Sequence, residues 1–124
     1  MKKIEIKTGG ISLTAELCAT DTAESIYKAL PIESKAHTWG EEVYFSAPVN
    51  TSLELNAKDV VEPGEIAYWV EGKCIAIGFG PTPVSKKNEI RLATKTNIWA
   101  ITKDDVKKLL AVKDGDKIII KKLA

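Results

Sequence analysis

The stretch Gly64-Glu-Ile-Ala-Tyr-Trp-Val-Glu-Gly-Lys-Cys-Ile-Ala-Ile-Gly-Phe-Gly-Pro-Thr-Pro83 decides the reading of this chain. Ile66 to Val70 and Cys74 to Phe79 are apolar runs rich in β-branched and aromatic residues, separated by Glu71-Gly72-Lys73, where Gly72 can supply the positive φ of a tight turn. They read as neighbouring antiparallel strands. Gly78 and Gly80 bare the backbone on either side of Phe79, which suits a bend in a barrel strand or close approach by a ligand. Pro81 and Pro83 then forbid a continued hydrogen-bond ladder and force an extended exit.

Outward from that hairpin the pattern stays mainly β. Lys2 to Thr8 and Ile11 to Cys18 alternate around Gly9-Gly10 and open the chain as a second hairpin. Asp21, with Glu24 three residues on, predicts a helix cap, and Ala23, Ile26, Tyr27 and Leu30 recur at helical spacing until Pro31. Residues 35 to 48 read as a strand kinked at Gly40, and Leu53 to Leu55 as a short strand. Beyond the prolines, Ser85 to Glu89 is a polar loop, Arg91 to Thr96 has no clear pattern, and Asn97 to Ile101 reads as a buried strand. Thr102 with Asp105 predicts a second cap, Ile101 can staple onto Val106, and Leu109 and Leu110 complete an apolar stripe. Asp114-Gly115 turns the chain into a lysine-edged strand, Lys117 to Leu123, suited to pair with the first hairpin. Short strands with two capped helices suggest a closed or nearly closed barrel plugged by helices.

Composition narrows the partners. The 124 residues suit one domain, residues 1–124, with a single core. Charges of both signs interleave to a net +1, which leaves no electrostatic footprint for nucleic acid. No apolar run approaches a membrane span, and Met-Lys-Lys leads into a polar strand, so the expectation is a cytoplasmic protein with no membrane partner. Arg91 is the only arginine and glutamine is absent, a lysine-weighted bias shared by high-temperature proteomes. Cys18 and Cys74 match no metal-ligand spacing and read as small buried thiols, with a disulfide open only if their strands are neighbours. Neither a cofactor nor a metal is expected: there is no phosphate loop, nucleophile elbow or paired ligand motif.

Thr38-Trp39-Gly40-Glu41-Glu42-Val43-Tyr44-Phe45, with Gly64-Glu65-Ile66-Ala67-Tyr68-Trp69 and Phe79-Gly80-Pro81-Thr82-Pro83, resembles the small prokaryotic cyclophilin-like family, the atypical cyclophilins, over nearly the whole chain. The resemblance implies a closed, eight-stranded antiparallel barrel capped by two short helices. It also implies peptidyl-prolyl cis-trans isomerase chemistry, for which typical cyclophilins use an arginine in a Phe-His-Arg run and a glutamine in a Phe-x-x-Gln-Gly segment. Here the corresponding place reads Trp39-Gly40-Glu41-Glu42.

That departure bears on mechanism. As a prolyl bond twists over its barrier of about 20 kcal/mol, its nitrogen becomes a better acceptor, and a fixed cation beside it helps most at the twisted state. Arg91 is the one residue able to replace the missing cation, or else an ion-pair partner of an acid such as Glu89. Phe79 is the expected proline contact, with barrel core as the alternative. Alternation along a single strand would put Glu41 on the face of Trp39, Val43 and Phe45, making Glu41 the cleft carboxylate. His37 reads as an acid/base group or a loop residue, and Tyr68 and Trp69 as cleft or core. The expected binding surface is thus Trp39, Glu41, Tyr44, Tyr68, Phe79 and Thr82. Its partner is a proline-containing peptide gripped by an isomerase, or a peptide or small ligand held without catalysis.

Overall fold

The computed structural model describes residues 2–123. The opening hairpin forms as its alternation demands: β1 (Lys3–Thr8) pairs with β2 (Ile11–Leu17), placing Ile4, Ile6, Leu13 and Ala15 inward. Helix α1 (Asp21–Ala29) follows, and its cap is Thr20, one residue earlier than the sequence suggested, whose side chain accepts from the Ala23 N–H at 3.1 Å. Two short strands, β3 (Ile32–Lys35) and β4 (His37–Thr38), flank Ala36, and β5 (Glu42–Ser46) runs back along β4. After β6 (Lys58–Val61) come β7 (Glu65–Trp69) and β8 (Cys74–Gly78), the hairpin expected from the deciding stretch. The long β9 (Ile90–Thr102), a 3-10 helix (Val106–Ala111) and β10 (Lys117–Leu123) complete the chain.

The strand order is β3-β10-β1-β2-β9-β7-β8-β5-β4, all neighbours antiparallel. Because β3 and β4 are one chain segment interrupted at Ala36, the two ends of this order meet there and the sheet becomes an eight-position barrel. The junction is stitched by the Asp114-Gly115-Asp116 turn. Ala36 N–H donates to the Asp116 carbonyl at 2.7 Å, Gly115 N–H to the Ala36 carbonyl at 2.8 Å, and Thr38 N–H to Asp114 Oδ1 at 2.6 Å. Inside lie Phe45, Ile66, Tyr68, Ile75, Ile77, Trp99, Ile118 and Ile120, all fully buried. Helix α1 plugs this core with Ala23 and Ile26, and the 3-10 helix with Val106 and Leu109.

Several expectations change. Gly40 does not kink one strand; with φ +59 it sits in the turn between β4 and β5, so residues 35 to 46 form a hairpin. The 53–55 segment is a loop, with Leu53 and Leu55 exposed. It is tied down instead by polar contacts, Thr22 Oγ1 donating to Glu54 Oε2 at 2.6 Å and Asn97 Nδ2 to the Ser52 carbonyl at 2.9 Å. The positive φ of the β7–β8 turn belongs to Lys73, while Gly72 is required because the Trp69 ring lies where a Cβ would go. The 3-10 helix is capped by Asp105 in place of Thr102, and Ile101 is exposed and not stapled to Val106. Cys18 and Cys74 are free thiols. Among the described residues no helix is long and apolar enough to cross a membrane.

A substitution tests the tight hairpin turn. A Cβ at Gly40 would lie 2.9 Å from Thr82 Cα and 2.9 Å from Pro83 Cδ, besides needing the left-handed backbone. Gly40→Ala is expected to lower stability by about 1–3 kcal/mol in urea denaturation. Gly10→Ala, where a Cβ meets nothing within 4 Å and φ is not positive, leaves the midpoint close to that of the parent.

Candidate functional site

β7 and β8 are buried on both faces. Ile66, Tyr68, Ile75 and Ile77 enter the barrel, whereas Ala67 and Ala76 face outward into a second, smaller cluster with Val61, Ile90 and Leu92. What covers that outer face is the first half of β9, which leaves the barrel wall and pairs with β6. Its register carries a large bulge: Lys58 stands opposite Thr96 and Val60 opposite Arg91, so that Asp59 alone faces Leu92 to Lys95. Bulges of this kind bend a strand and re-aim its side chains. Here the bulged segment arches over the outer face and leaves a cavity of about 180 Å³ beneath it.

Trp39, Glu42, Tyr44, Trp69 and Ala76 line this cavity together with Leu92, Ala93, Thr94 and Thr96 of the 92–96 arch. Glu42 pairs with Gly78 and Tyr44 with Ala76, so Glu42, Tyr44 and Ala76 reach the cavity from two neighbouring strands, with Ala76 the small residue between larger walls. The bottom is buried at Glu42, Ala76, Leu92 and Thr96. Trp39, Tyr44, Trp69 and Thr94 are half-exposed and make the mouth. Tyr44 is steadied by His37, whose ring stacks on it at 5.2 Å between centroids, and Trp69 by its seat on Gly72. The lining is predominantly apolar, with one ionisable carboxyl at its base.

That carboxyl is the chemical centre of the cavity. Glu42 is 6% exposed, and its Oε1 has no hydrogen-bond partner among the described residues. Burial alone pushes its pKa up from 4.5 to about 7, with no cation close enough to oppose the shift. Such a group is poised between neutral and charged forms near neutral pH and accommodates a hydrogen-bond donor or a positive charge delivered from outside.

Of the binding surface expected from sequence, Trp39 and Tyr44 line the cavity and Glu41, Tyr68, Phe79 and Thr82 lie elsewhere, while Trp69, open between cleft and core, is in the lining. Glu41 is held by Lys107 at 2.8 Å, and its carboxylate occupies the place a Cβ on Gly80 would take. The turn at Gly40 breaks the alternation that favoured it, and Glu42 takes the cavity position. Tyr68 is inside the barrel, donating its hydroxyl proton to the Ala47 carbonyl at 2.7 Å and accepting from Val49 N–H at 3.2 Å. Phe79 is 4% exposed in the main core. Thr82 donates its hydroxyl to the Arg91 carbonyl and accepts no part in the lining. Arg91 is committed to acids, with Nε on Glu89 Oε2 at 2.5 Å and an Nη on Asp59 Oδ2 at 3.0 Å. The bare backbone at Gly78 serves packing, since Ile90 fills the space beside it. Sequence reasoning missed Glu42, Ala76 and the 92–96 arch. One signal was present: β7 and β8 are apolar without alternation, the mark of strands covered on both faces.

The Glu42 shift has a sign that can be measured. The folded chain holds this proton more tightly than the unfolded chain, so the group's contribution is full below pH 4.5 and is lost as pH rises through about 7. Stability measured by urea denaturation is expected to fall between these limits by as much as about 3 kcal/mol from this group. In Glu42→Gln that part of the slope disappears; an unchanged slope would place the pH dependence elsewhere.

Three comparisons place the chain among known proteins. The sequence model of the family described as cyclophilin-like matches residues 2–121. The solution structure of the hypothetical protein AF2241 from Archaeoglobus fulgidus is similar at 35% identity and a TM-score of 0.82, over 98% of this chain and 95% of that one. The structure of McbB in complex with tryptophan shares the fold at 15% identity and a TM-score of 0.70, with 95% of this chain matching 44% of McbB. No curated protein matches. With the barrel order, the two capping pieces and the family match all in agreement, this chain belongs to the cyclophilin-like family.

Proposed function

We propose that this protein is a ligand-binding member of the cyclophilin-like family, seating one ring-sized group of a small molecule or peptide in the cavity beneath the β9 arch, without prolyl isomerase catalysis. The observation that carries this reading is the pairing of a formed apolar cavity with the absence of any cationic side chain among its lining residues. The cavity's volume is comparable to that of an engineered protein cavity of about 150 Å³ that accepts benzene, so it suits a single five- or six-membered ring. Half-exposed aromatic side chains at its mouth offer large contact area at small entropic cost, as binding sites commonly do.

Prolyl isomerisation is the reading attached to the fold, and the chemistry at this cavity argues against it. Rate acceleration needs a donor that interacts more strongly with the twisted amide than with the planar one. Arg91, the only arginine, is saturated by Glu89 and Asp59, and the ionisable group at the cavity is an acid. Ring binding remains available without that donor.

The test is NMR with a panel of Xaa-Pro peptides. Exchange spectroscopy at catalytic protein concentration is expected to show no acceleration of cis/trans exchange. At stoichiometric concentration, ring-bearing ligands are expected to shift the amides of Ala76, Leu92 and Ala93, with Trp39→Ala weakening their binding about tenfold. Accelerated exchange that Arg91→Ala abolishes would overturn this reading in favour of an isomerase with a rebuilt site.

A further inference from the structure

Resting on the reading of the cavity as a ligand site, we infer that its ligand class is a compact organic ammonium, a protonated primary or secondary amine on a ring-sized body, with the Glu42 carboxylate receiving the N–H and Trp39, Tyr44 and Trp69 surrounding the charge.

The inference begins from an imbalance. A buried carboxyl is ordinarily paired or hydrogen-bonded, because moving the ionised form out of water without a partner is costly. The half-buried acids Glu41, Glu54 and Glu89 each have a partner, in Lys107, Thr22 and Arg91. Glu42 is buried to a comparable or greater degree and its Oε1 meets no donor among the described residues. An orphaned acceptor at the base of an accessible cavity is satisfied by whatever enters.

The surroundings select the sign of the visitor. Two tryptophans and a tyrosine line the same cavity as the carboxyl, and aromatic rings attract cations through their quadrupole, tryptophan most strongly. No lysine or arginine is among the lining residues, so an incoming ammonium meets no repulsion there. An anionic ligand would face an acid with no compensating cation. A neutral hydroxyl could donate to Oε1, but would gain neither the charge-assisted hydrogen bond nor the cation–aromatic attraction. The small side chain of Ala76, with Leu92 and Ala93 of the arch, leaves room for the apolar body next to the charge.

Benzylamine and benzyl alcohol separate these contributions, being nearly the same size and differing in charge at pH 8. The full chain is titrated with each at millimolar concentration, followed by amide shifts and by intermolecular NOEs. Benzylamine is expected to bind about tenfold or more tightly than benzyl alcohol, its methylene protons giving NOEs to the Glu42 γ-protons in the unmodified protein. In Glu42→Gln the preference should collapse to near parity while benzyl alcohol binding is retained. The NOEs read the contact without any substitution, so a poorly folded variant does not decide the matter. Equal binding of the two probes in the cavity overturns the ammonium inference and leaves the ligand-site reading intact. If neither probe shifts the cavity amides, both are overturned.

Discussion

Two-sided apolarity of β7 and β8 is the constraint on which the rest of this structure depends. A barrel strand needs one apolar face, and Ile66, Tyr68, Ile75 and Ile77 meet that need inside. Ala67 and Ala76 then leave a second apolar strip on the outside, which water would disfavour. The chain resolves this by making β9 longer than the barrel requires. Its second half, from Asn97, completes the wall between β2 and β7. Its first half pairs with β6 and brings Ile90 and Leu92 down on the strip. The cover is imperfect because four residues of β9 oppose one of β6, and the imperfection is the cavity.

A carboxyl at the base of that cavity is costly to the fold. Its proton is retained to about pH 7 because the surroundings solvate the charge poorly, and none of the neighbouring residues compensates. Sites that violate the rule of paired buried polar groups are where function is expected to reside, since the uncompensated group is available to a partner that is not part of the chain. The ion pairs elsewhere are of the opposite kind: Arg91 bridges Glu89 and Asp59, tying the loop before β9 to β6 just beside the bulge. The sole arginine is thus committed to acids beside the bulge and is not among the residues that line the cavity.

The glycines of the fold divide in the same way. Gly40 turns the chain between β4 and β5 in contact with the Pro81-Thr82-Pro83 corner, while Gly80 makes room for the Glu41 carboxylate. Together they dock the β4–β5 turn onto the exit of β8, with the Phe79 N–H donating to the Glu41 carbonyl at 2.8 Å and the Glu41 N–H to the Pro81 carbonyl at 3.0 Å. The motifs that carried the family resemblance, around Trp39-Gly40-Glu41 and Phe79-Gly80-Pro81, therefore touch one another. The contacts between them are structural, and the first motif also supplies Trp39, Glu42 and Tyr44 to the lining of the cavity.

The sequence by itself determined the barrel: the alternation of β1 and β2, the β7–β8 hairpin and the Asp114-Gly115 turn into β10 were legible because each rests on contacts between near neighbours in the chain, and the family motifs added the architecture those elements build. The cavity was legible only in its aromatic members, Trp39 and Tyr44, with Trp69 left between cleft and core. Which of two adjacent glutamates enters the cavity hinged on a single turn, since side chains alternate with a period of two and reading Gly40 as a kink exchanges the faces of everything after it. The 92–96 arch was hidden for a different reason. Its residues have no periodicity of their own and take their place from a bulge against β6, a pairing across more than thirty residues of chain that only the tertiary structure decides.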